Sequence, residues 1–446
     1  MPPQASNQSS SQRISPISRS SAEELPMSNQ PRHLAPQPLP SRSLPERHRW
    51  PAAFVRGVVA GAADLDPAAV LTATVAGATF GYSVGWVVLL SMPVLWSVFS
   101  VSARIGRDSR KGLVELVREQ YGRKTALALA LGVFAVNFAM IIGDLVAVSD
   151  ALSIVTNQWR AFFLVPLAFL VWYMLIVGNT RKSMERLGLL SLFLIAYIVA
   201  ACYTVHSHVQ LARGILLPHF ENTSAYAMAV IAVFGSLLTP DVIVWQTSSK
   251  REIPIAADPE HDTESHAGTL VATVISLSAI IVAASFHVAD PSLMTTRSAS
   301  QSLAFLGSAG PLLFALGILG SGMVALPLLA ASLSFSISEA IGWDSGLDKE
   351  PWEARYFYIV ISTILLVSVI ISLFGVNTVR LLYWSQVGAG ALVVPVLAFL
   401  VLLGRNRRVV RSPNRALDDF CLSFAVLAML IANIQFVWSE WIAPRF

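Results

Sequence analysis

The sequence predicts an all-α integral membrane protein made of two halves of opposite orientation. Of its 446 residues, 54% are hydrophobic and only 13% are charged, about half the charged fraction of an ordinary soluble domain. Two long apolar stretches are interrupted near the middle by a polar residue followed by proline, at Asp66-Pro67 and Thr239-Pro240. Arginine and lysine residues also cluster in alternate loops, which gives the apolar stretches a direction across the membrane.

The apolar stretches define about eleven transmembrane helices, because a crossing needs roughly 20 apolar residues. Basic clusters follow the second, fourth and tenth stretches, so we expect the amino terminus in the cytoplasm and the carboxyl terminus outside. The chain then divides into a first repeat at 52–206, a second repeat at 224–404 and an added helix at 416–438. The predicted spans are 52–80, 84–104, 125–152, 160–178, 187–206, 224–249, 267–289, 309–339, 355–375, 379–404 and 416–438.

Residues 1–49 are rich in serine, proline, glutamine and arginine, which predicts a disordered cytoplasmic tail before a polytopic domain at 50–446. The formal charge of +4 comes largely from basic loops between apolar runs, so a nucleic-acid partner is not expected. Cys202 and Cys421 are expected to be buried. The sequence shows no phosphate-binding glycine loop, catalytic pair or zinc-protease helix, so we predict no enzyme activity, catalytic residue, cofactor-binding residue or cofactor.

The two helix breaks are the first indication of a functional site. Backbone groups freed from a helix in hydrocarbon cost several kcal/mol each unless protein, water or a ligand satisfies them. Interrupted spans at corresponding places in two halves are typical of a substrate site near the membrane midplane.

Acidic residues within the spans give a second indication, because charged groups in a membrane are costly and usually functional. The same spans carry no deep lysine or arginine, so a cation is the natural partner, and oxygen ligands favour hard divalent ions. For Asp64 and Asp150, a water-facing or protonated carboxylate near a helix end is at least as good an interpretation. The acidic residues assigned to spans are Asp64, Asp66, Asp144, Asp150 and Asp241.

The stretch GAADLDPAAVLTATVAGATFGYS resembles the start of the Nramp divalent metal transporters, whose first helix unwinds at Asp-Pro-Gly-Asn. In the third span, IIGDLVAVSDAL is similar to the family's Asp-Leu-Ala-Glu-Val segment. In the sixth, FGSLLTPDVIVWQTS is similar to its Met-Pro-His segment, and SEAIGW and LLYWSQVGAGALVVPVLAFLVLLG match later spans. The resemblance, which identifies the chain as a non-classical relative of the family, implies a LeuT-type 5+5 inverted repeat with broken helices 1 and 6.

The resemblance also implies a set of metal ligands. The family's asparagine ligand falls at Ala69, which has no donor, and its methionine falls at Thr239, which offers a hard hydroxyl oxygen. A lone glutamine in a membrane helix more often bonds a neighbouring helix, but the family position of Gln386 makes a metal role equally good. The implied site comprises Asp66, the backbone carbonyl of Ser236, Thr239, Asp241 and Gln386, with Asp144 on a candidate ion or proton pathway.

These residues predict a secondary transporter that imports a divalent cation, Mn²⁺ or Mg²⁺ rather than Fe²⁺, by alternating access. We expect weak proton coupling, because Asp241 and Gln246 replace two family histidines, Ala147 replaces a glutamate and the ninth span lacks an arginine. We also expect the Asp66 carboxylate to serve the ion rather than the helix. An organic-solute symporter of the same architecture and a non-transporting sensor remain alternatives. The expected location is a bacterial inner membrane, and the oligomeric state is left open.

Overall fold

The computed structural model describes residues 65–177, 186–205, 208–218, 221, 223–250, 259–285, 294–307, 309–347, 349–411 and 414–442. Throughout these ranges the regular structure is helical and contains no strand, which confirms the all-α prediction. The predicted tail, the first half of the first span and Asp64 lie outside the described residues, as do most of the loop after the sixth span and a part of the loop after the fourth.

The helices are numbered along the chain, with short 3₁₀ turns between some of them. The first repeat contains α1 Pro67–Phe80, α2 Gly85–Ser109, α3 Leu113–Tyr121, α4 Arg123–Thr156, α5 Ala161–Ile176, α6 Ala196–Thr204 and α7 His208–Leu216. The second contains α8 Ser224–Leu237, α9 Pro240–Lys250, α10 Pro259–Ala284, α11 Thr296–Ser300, α12 Ala309–Ile341, α13 Arg355–Ser372 and α14 Thr378–Arg405, followed by α15 Ala416–Val437.

Each of the eleven predicted spans has a helical counterpart in the described part of the chain. Nine helical stretches there are long and apolar enough to cross a membrane, and one of them, Pro67–Ser109, contains parts of the first two predicted spans. The fourth predicted span corresponds to the shorter apolar helix α5. Three short helices, α3, α7 and α11, were not predicted, because each lies in a connection between apolar stretches.

Helix α1 is the central helix of the described bundle. It packs against α10, α14 and α8, and every residue from Pro67 to Ala78 is buried. A helix that is apolar all round is stable only when other helices enclose it. The start of α1, where Asp66 lies, is therefore held inside the protein rather than at its lipid-facing surface.

The break in the sixth span is present as predicted. Helix α8 ends at Leu237, and Leu238 leaves the helical conformation with φ −118° and ψ 55°. Helix α9 then begins at Pro240. Proline has no amide hydrogen and cannot continue the hydrogen bonds of the preceding helix, whereas its fixed φ suits the first position of a new helix.

The outer helices expose large apolar side chains, as a surface in contact with lipid requires. On α5 these include Phe162, Phe169 and Tyr173, and on α15 they include Phe420 and Ile431. The prediction that both cysteines are buried is wrong for Cys202, which is exposed, and correct for Cys421. Cys202 lies near the end of α6, whose partners cover only one side of the helix.

Candidate functional site

Asp66 starts helix α1 and is itself buried, with 7% of its surface exposed. Its Oδ1 accepts a hydrogen bond of 2.5 Å from the amide of Ala69, and Pro67 occupies the first helical position. This is the N-cap arrangement, in which an aspartate satisfies an amide that the helix leaves free. The expectation that this carboxylate serves an ion rather than the helix is therefore wrong in part, because one oxygen caps the helix.

The second break leaves the carbonyl of Ser236 without its helical donor. In an α-helix that oxygen would accept from the amide four residues later, which here belongs to Pro240 and does not exist. The Ser236 hydroxyl donates to the carbonyl of Val233 at 2.9 Å, so the side chain is occupied within its own helix. The buried backbone oxygen is the group of Ser236 that remains for another partner.

Thr239 and Asp241 lie on either side of Pro240 and are both buried. The Asp241 carboxyl group lies near the Thr239 hydroxyl and the first amides of α9, where a helix N-terminus favours negative charge. Its Oδ1 nevertheless makes no hydrogen bond. The hydroxyl of Ser332 on α12 donates to the backbone carbonyl of Asp241 at 2.9 Å and fixes the start of α9.

Gln386 lies on α14 and is fully buried, and within the described part of the chain neither its amide nitrogen nor its amide oxygen has a hydrogen-bond partner. Its main chain lies directly against Gly235, where an added Cβ would overlap the Gln386 carbonyl oxygen. The structure therefore brings Gln386 beside the break in the sixth span. A glutamine that bonds a neighbouring helix would have satisfied amide atoms. The alternative in which Gln386 only bonds a neighbouring helix therefore does not fit these described residues.

Asp144 lies in the middle of α4, fully buried, and neither of its carboxyl oxygens has a hydrogen bond of normal geometry to a described residue. Its nearest backbone donor is the amide of Ala68 in the first turn of α1. The carboxyl groups of Asp66, Asp144 and Asp241 are close enough to repel one another. In the described part of the chain, no lysine, arginine or histidine is among the groups acting on these three.

The predicted ligand residues thus share one buried region where the starts of α1 and α9 meet α4 and α14. Within the described residues, no three acidic, histidine or cysteine side chains form a metal cluster by themselves. The predicted ligand set has a different form, since it combines carboxylate with carbonyl, hydroxyl and amide oxygens. Such oxygens are the ligands of hard divalent cations.

Asp150 does not belong to this region and has a structural role. Its carboxylate accepts hydrogen bonds from Thr296 at 2.9 Å and Thr378 at 3.0 Å, and it pairs with Arg160 at 3.4 Å. These contacts connect the end of α4 to α11 and α14. The sequence analysis considered a water-facing or protonated carboxylate at this position; the structure instead shows a partly buried carboxylate that is paired with Arg160.

The sequence analysis missed Glu339, a buried carboxylate near the end of α12. It accepts a 2.7 Å hydrogen bond from Ser248 on α9, and also accepts from the amides of Val114 and Glu115 in the first turn of α3 at 3.2 and 3.4 Å. In the sequence, Glu339 contributes only to the family resemblance of SEAIGW. An acidic residue at the end of an apolar helix could nevertheless have indicated a buried contact. Glu339 ties the second half of the broken span to α3.

A helical membrane domain whose half-helices begin at a buried acidic site defines the class of secondary transporters with discontinuous helices. The chain belongs to the Nramp family, because the family model described as natural resistance-associated macrophage protein-like matches residues 57–439. Members of this family are transporters and not enzymes. The chain is accordingly an integral membrane protein.

Two curated relatives share this assignment. The chain is 24% identical over 392 residues to a divalent metal cation transporter MntH of Verminephrobacter eiseniae, covering 84% of this chain and 86% of that protein. It is 27% identical over 361 residues to the MntH of Yersinia enterocolitica, covering 76% of this chain and 84% of the relative.

Solved structures show the same fold. The Eremococcus coleocola manganese transporter, in complex with an aromatic bis-isothiourea compound, superposes with a TM-score of 0.68 at 16% identity over 89% of this chain and 88% of that one. MhsT in complex with L-phenylalanine superposes with a TM-score of 0.57 at 14% identity over 86% and 98%. The LeuT-type fold expected from the sequence is confirmed.

Proposed function

We propose that this chain is a secondary transporter that imports a divalent cation, Mn²⁺ or Mg²⁺, by alternating access. The ion binds between the two helix breaks, with Asp66 as the principal carboxylate. The Ser236 carbonyl, Thr239 and Gln386 complete the protein ligands, and Asp241 supplies a second negative charge nearby.

The observation that carries this proposal is the set of buried polar atoms without partners around the two breaks. Among the described residues, both amide atoms of Gln386, both oxygens of Asp144 and Oδ1 of Asp241 have no hydrogen-bond partner of normal geometry. Leaving a buried polar group unsatisfied costs about 1–3 kcal/mol, and more when the group is charged. A bound cation with its waters supplies the positive charge and the donors that the side-chain oxygens of Asp144, Asp241 and Gln386 lack.

The ligand chemistry favours Mn²⁺ or Mg²⁺ over softer metals. Carboxylate, carbonyl, hydroxyl and amide oxygens are hard ligands, whereas a thioether or thiolate would favour softer ions. Mg²⁺ keeps several of its waters when it binds proteins. A site in which Ala69 and Thr239 replace longer ligands suits an ion that arrives partly hydrated. Relatives named as manganese or divalent metal cation transporters support the same ion class.

An organic-solute symporter has the same architecture, as the MhsT complex with L-phenylalanine illustrates. A substrate carboxylate would meet Asp66, Asp144 and Asp241 without a described basic side chain to neutralise it. This charge pattern favours a cation as the transported species. We place the transporter in a bacterial inner membrane with a cytoplasmic amino terminus, on the basis of its basic loops.

Uptake into proteoliposomes tests the proposal. Purified full-length protein is reconstituted, and entry of Mg²⁺, Mn²⁺ and Ca²⁺ is followed with entrapped indicators, with protein-free liposomes as the control. We expect saturable entry of Mg²⁺ or Mn²⁺. Absence of flux for all three ions, together with normal folding by thermal melting, would show that the protein does not transport these divalent cations. That result would favour a non-transporting sensor.

A further inference from the structure

A second cavity lies away from the cation site, between α2, α10 and α15. Its volume is about 270 Å³. Along α2 its lining runs from the apolar Pro93 and Phe99 to Arg107, and Arg415, Leu417 and Asp418 line it at the start of α15, so the charged residues lie toward one end. A cavity that joins apolar and charged residues suits a membrane amphiphile.

Two arginines line the charged end. Arg107 lies in the last turn of α2, and Arg415 directly precedes the first residue of α15. Within the described ranges, neither guanidinium makes an ion pair with another side chain. Basic pockets between transmembrane helices are suited to lipid phosphates, and arginine is the residue that matches phosphate geometry with two parallel hydrogen bonds.

Asp418 gives an independent indication of the ligand. Its side chain lines the same cavity, only 8% of the residue is exposed, and its Oδ2 has no hydrogen-bond partner. The adjacent Asp419 is satisfied by Arg405 at 2.8 Å and Asn414 at 2.7 Å. Arg104 is within Coulombic range of Asp418 but donates to Asn414 instead. Asp418 therefore contributes to the cavity lining a buried carboxylate oxygen that no described donor satisfies.

His266 and Trp96 are neighbours in the lining of the cavity. Their rings meet edge to face with centroids 3.8 Å apart, and both line the cavity. Tryptophan is typical of the level at which lipid headgroups meet acyl chains. Trp96 therefore gives the cavity an aromatic side chain of the kind that lipid headgroups contact.

We propose that this cavity is a binding site for phosphatidylethanolamine. The phosphodiester binds Arg107 and Arg415, the primary ammonium donates to Asp418, and one acyl chain lies along the apolar part. An anionic lipid without an ammonium would satisfy the arginines but leave the Asp418 carboxylate facing a negative headgroup. Phosphatidylcholine carries the same phosphate but has no N–H to donate.

Native mass spectrometry of the full-length protein with dioleoyl lipids tests the proposal. We expect the wild type to bind phosphatidylethanolamine about tenfold more tightly than phosphatidylcholine, as expected for one charge-assisted hydrogen bond. Asp418→Asn should abolish that preference. Arg107→Gln and Arg415→Gln should weaken both lipids equally. Arg408→Gln, an exposed arginine outside the cavity, is the matched control and should bind as wild type.

Three results would overturn the proposal. The first is equal or tighter binding of phosphatidylglycerol by the wild type, which would identify an anionic-lipid site. The second is equally tight binding of soluble glycerophosphoethanolamine, which would identify a site for free phosphoesters. The third is a retained preference for phosphatidylethanolamine in Asp418→Asn. Thermal melting of each variant separates loss of binding from loss of folding.

Discussion

Gly235 packs directly against the main chain of Gln386, so that no Cβ fits between them. This contact joins α8 to α14 one residue before Ser236, the residue whose carbonyl the helix break frees. Glycine allows such a close approach of two backbones because it has no side chain. The position of Gln386 beside the break depends on this contact.

Gly235→Ala should therefore damage the site. The added methyl group would overlap backbone atoms of Gln386 and Gly390, and backbone cannot move aside as a flexible side chain can. Overpacking of this kind costs about 1–3 kcal/mol. We expect a lower melting temperature and reduced cation uptake. Gly388→Ala is the matched control, since its methyl group would meet only the Val136 side chain at 3.4 Å; equal damage from both variants would contradict this account.

Thr239→Met should change metal selectivity. A thioether would replace a hydroxyl oxygen at the second break, and sulfur favours softer metals. We expect Cd²⁺ to compete better against Mg²⁺ or Mn²⁺ uptake in this variant than in the wild type. Thr239→Val, which removes the hydroxyl without adding sulfur, is the control. Unchanged Cd²⁺ competition in a well-folded Thr239→Met variant would place residue 239 away from the ion.

Glu339→Ala should lower the melting temperature of the protein, although Glu339 is not one of the predicted cation ligands. The change removes the acceptor of Ser248, Val114 and Glu115, and each buried donor left unpaired costs about 1–3 kcal/mol. Thermal melting in detergent measures the effect. Glu339→Gln keeps one acceptor and should lose less, and Glu350→Gln on the exposed surface should be neutral. If Glu339→Ala melts as the wild type does, the contact to α9 carries no stability.

Cation flux should be weakly coupled, or uncoupled, to protons. The Nramp resemblance implies that Asp241 and Gln246 replace histidines and that Ala147 replaces a glutamate, and a proton relay in a membrane needs titratable groups in series. Asp144 is the buried carboxylate on α4 that remains beside the site. Internal pH is followed during metal entry at a clamped membrane potential. A fixed ratio of protons to metal would contradict the prediction, and Asp144→Asn would then show whether Asp144 carries them.

Much of the fold could be predicted because lipid imposes simple rules on sequence. Apolar length located the spans, and proline located the start of α1 at Pro67 and the break at Pro240. The capping role of Asp66 was not predicted, although aspartate before proline is a typical helix start. The contacts of Gly235 with Gln386, Glu339 with Ser248, and Asp150 with two threonines could not be predicted. Each joins residues far apart in the chain, and one sequence contains no record of which helices pack together.

The most direct test of the cation site compares Asp66→Asn and Asp66→Ala with the wild type in one proteoliposome uptake assay. Asparagine caps a helix as well as aspartate does, whereas alanine loses the cap at a cost of about 1 kcal/mol. If the charge of Asp66 binds the ion, both variants lose Mg²⁺ or Mn²⁺ uptake, while Asp66→Asn melts near the wild-type temperature and Asp66→Ala melts lower. Near-normal uptake by a well-folded Asp66→Asn protein would contradict the site.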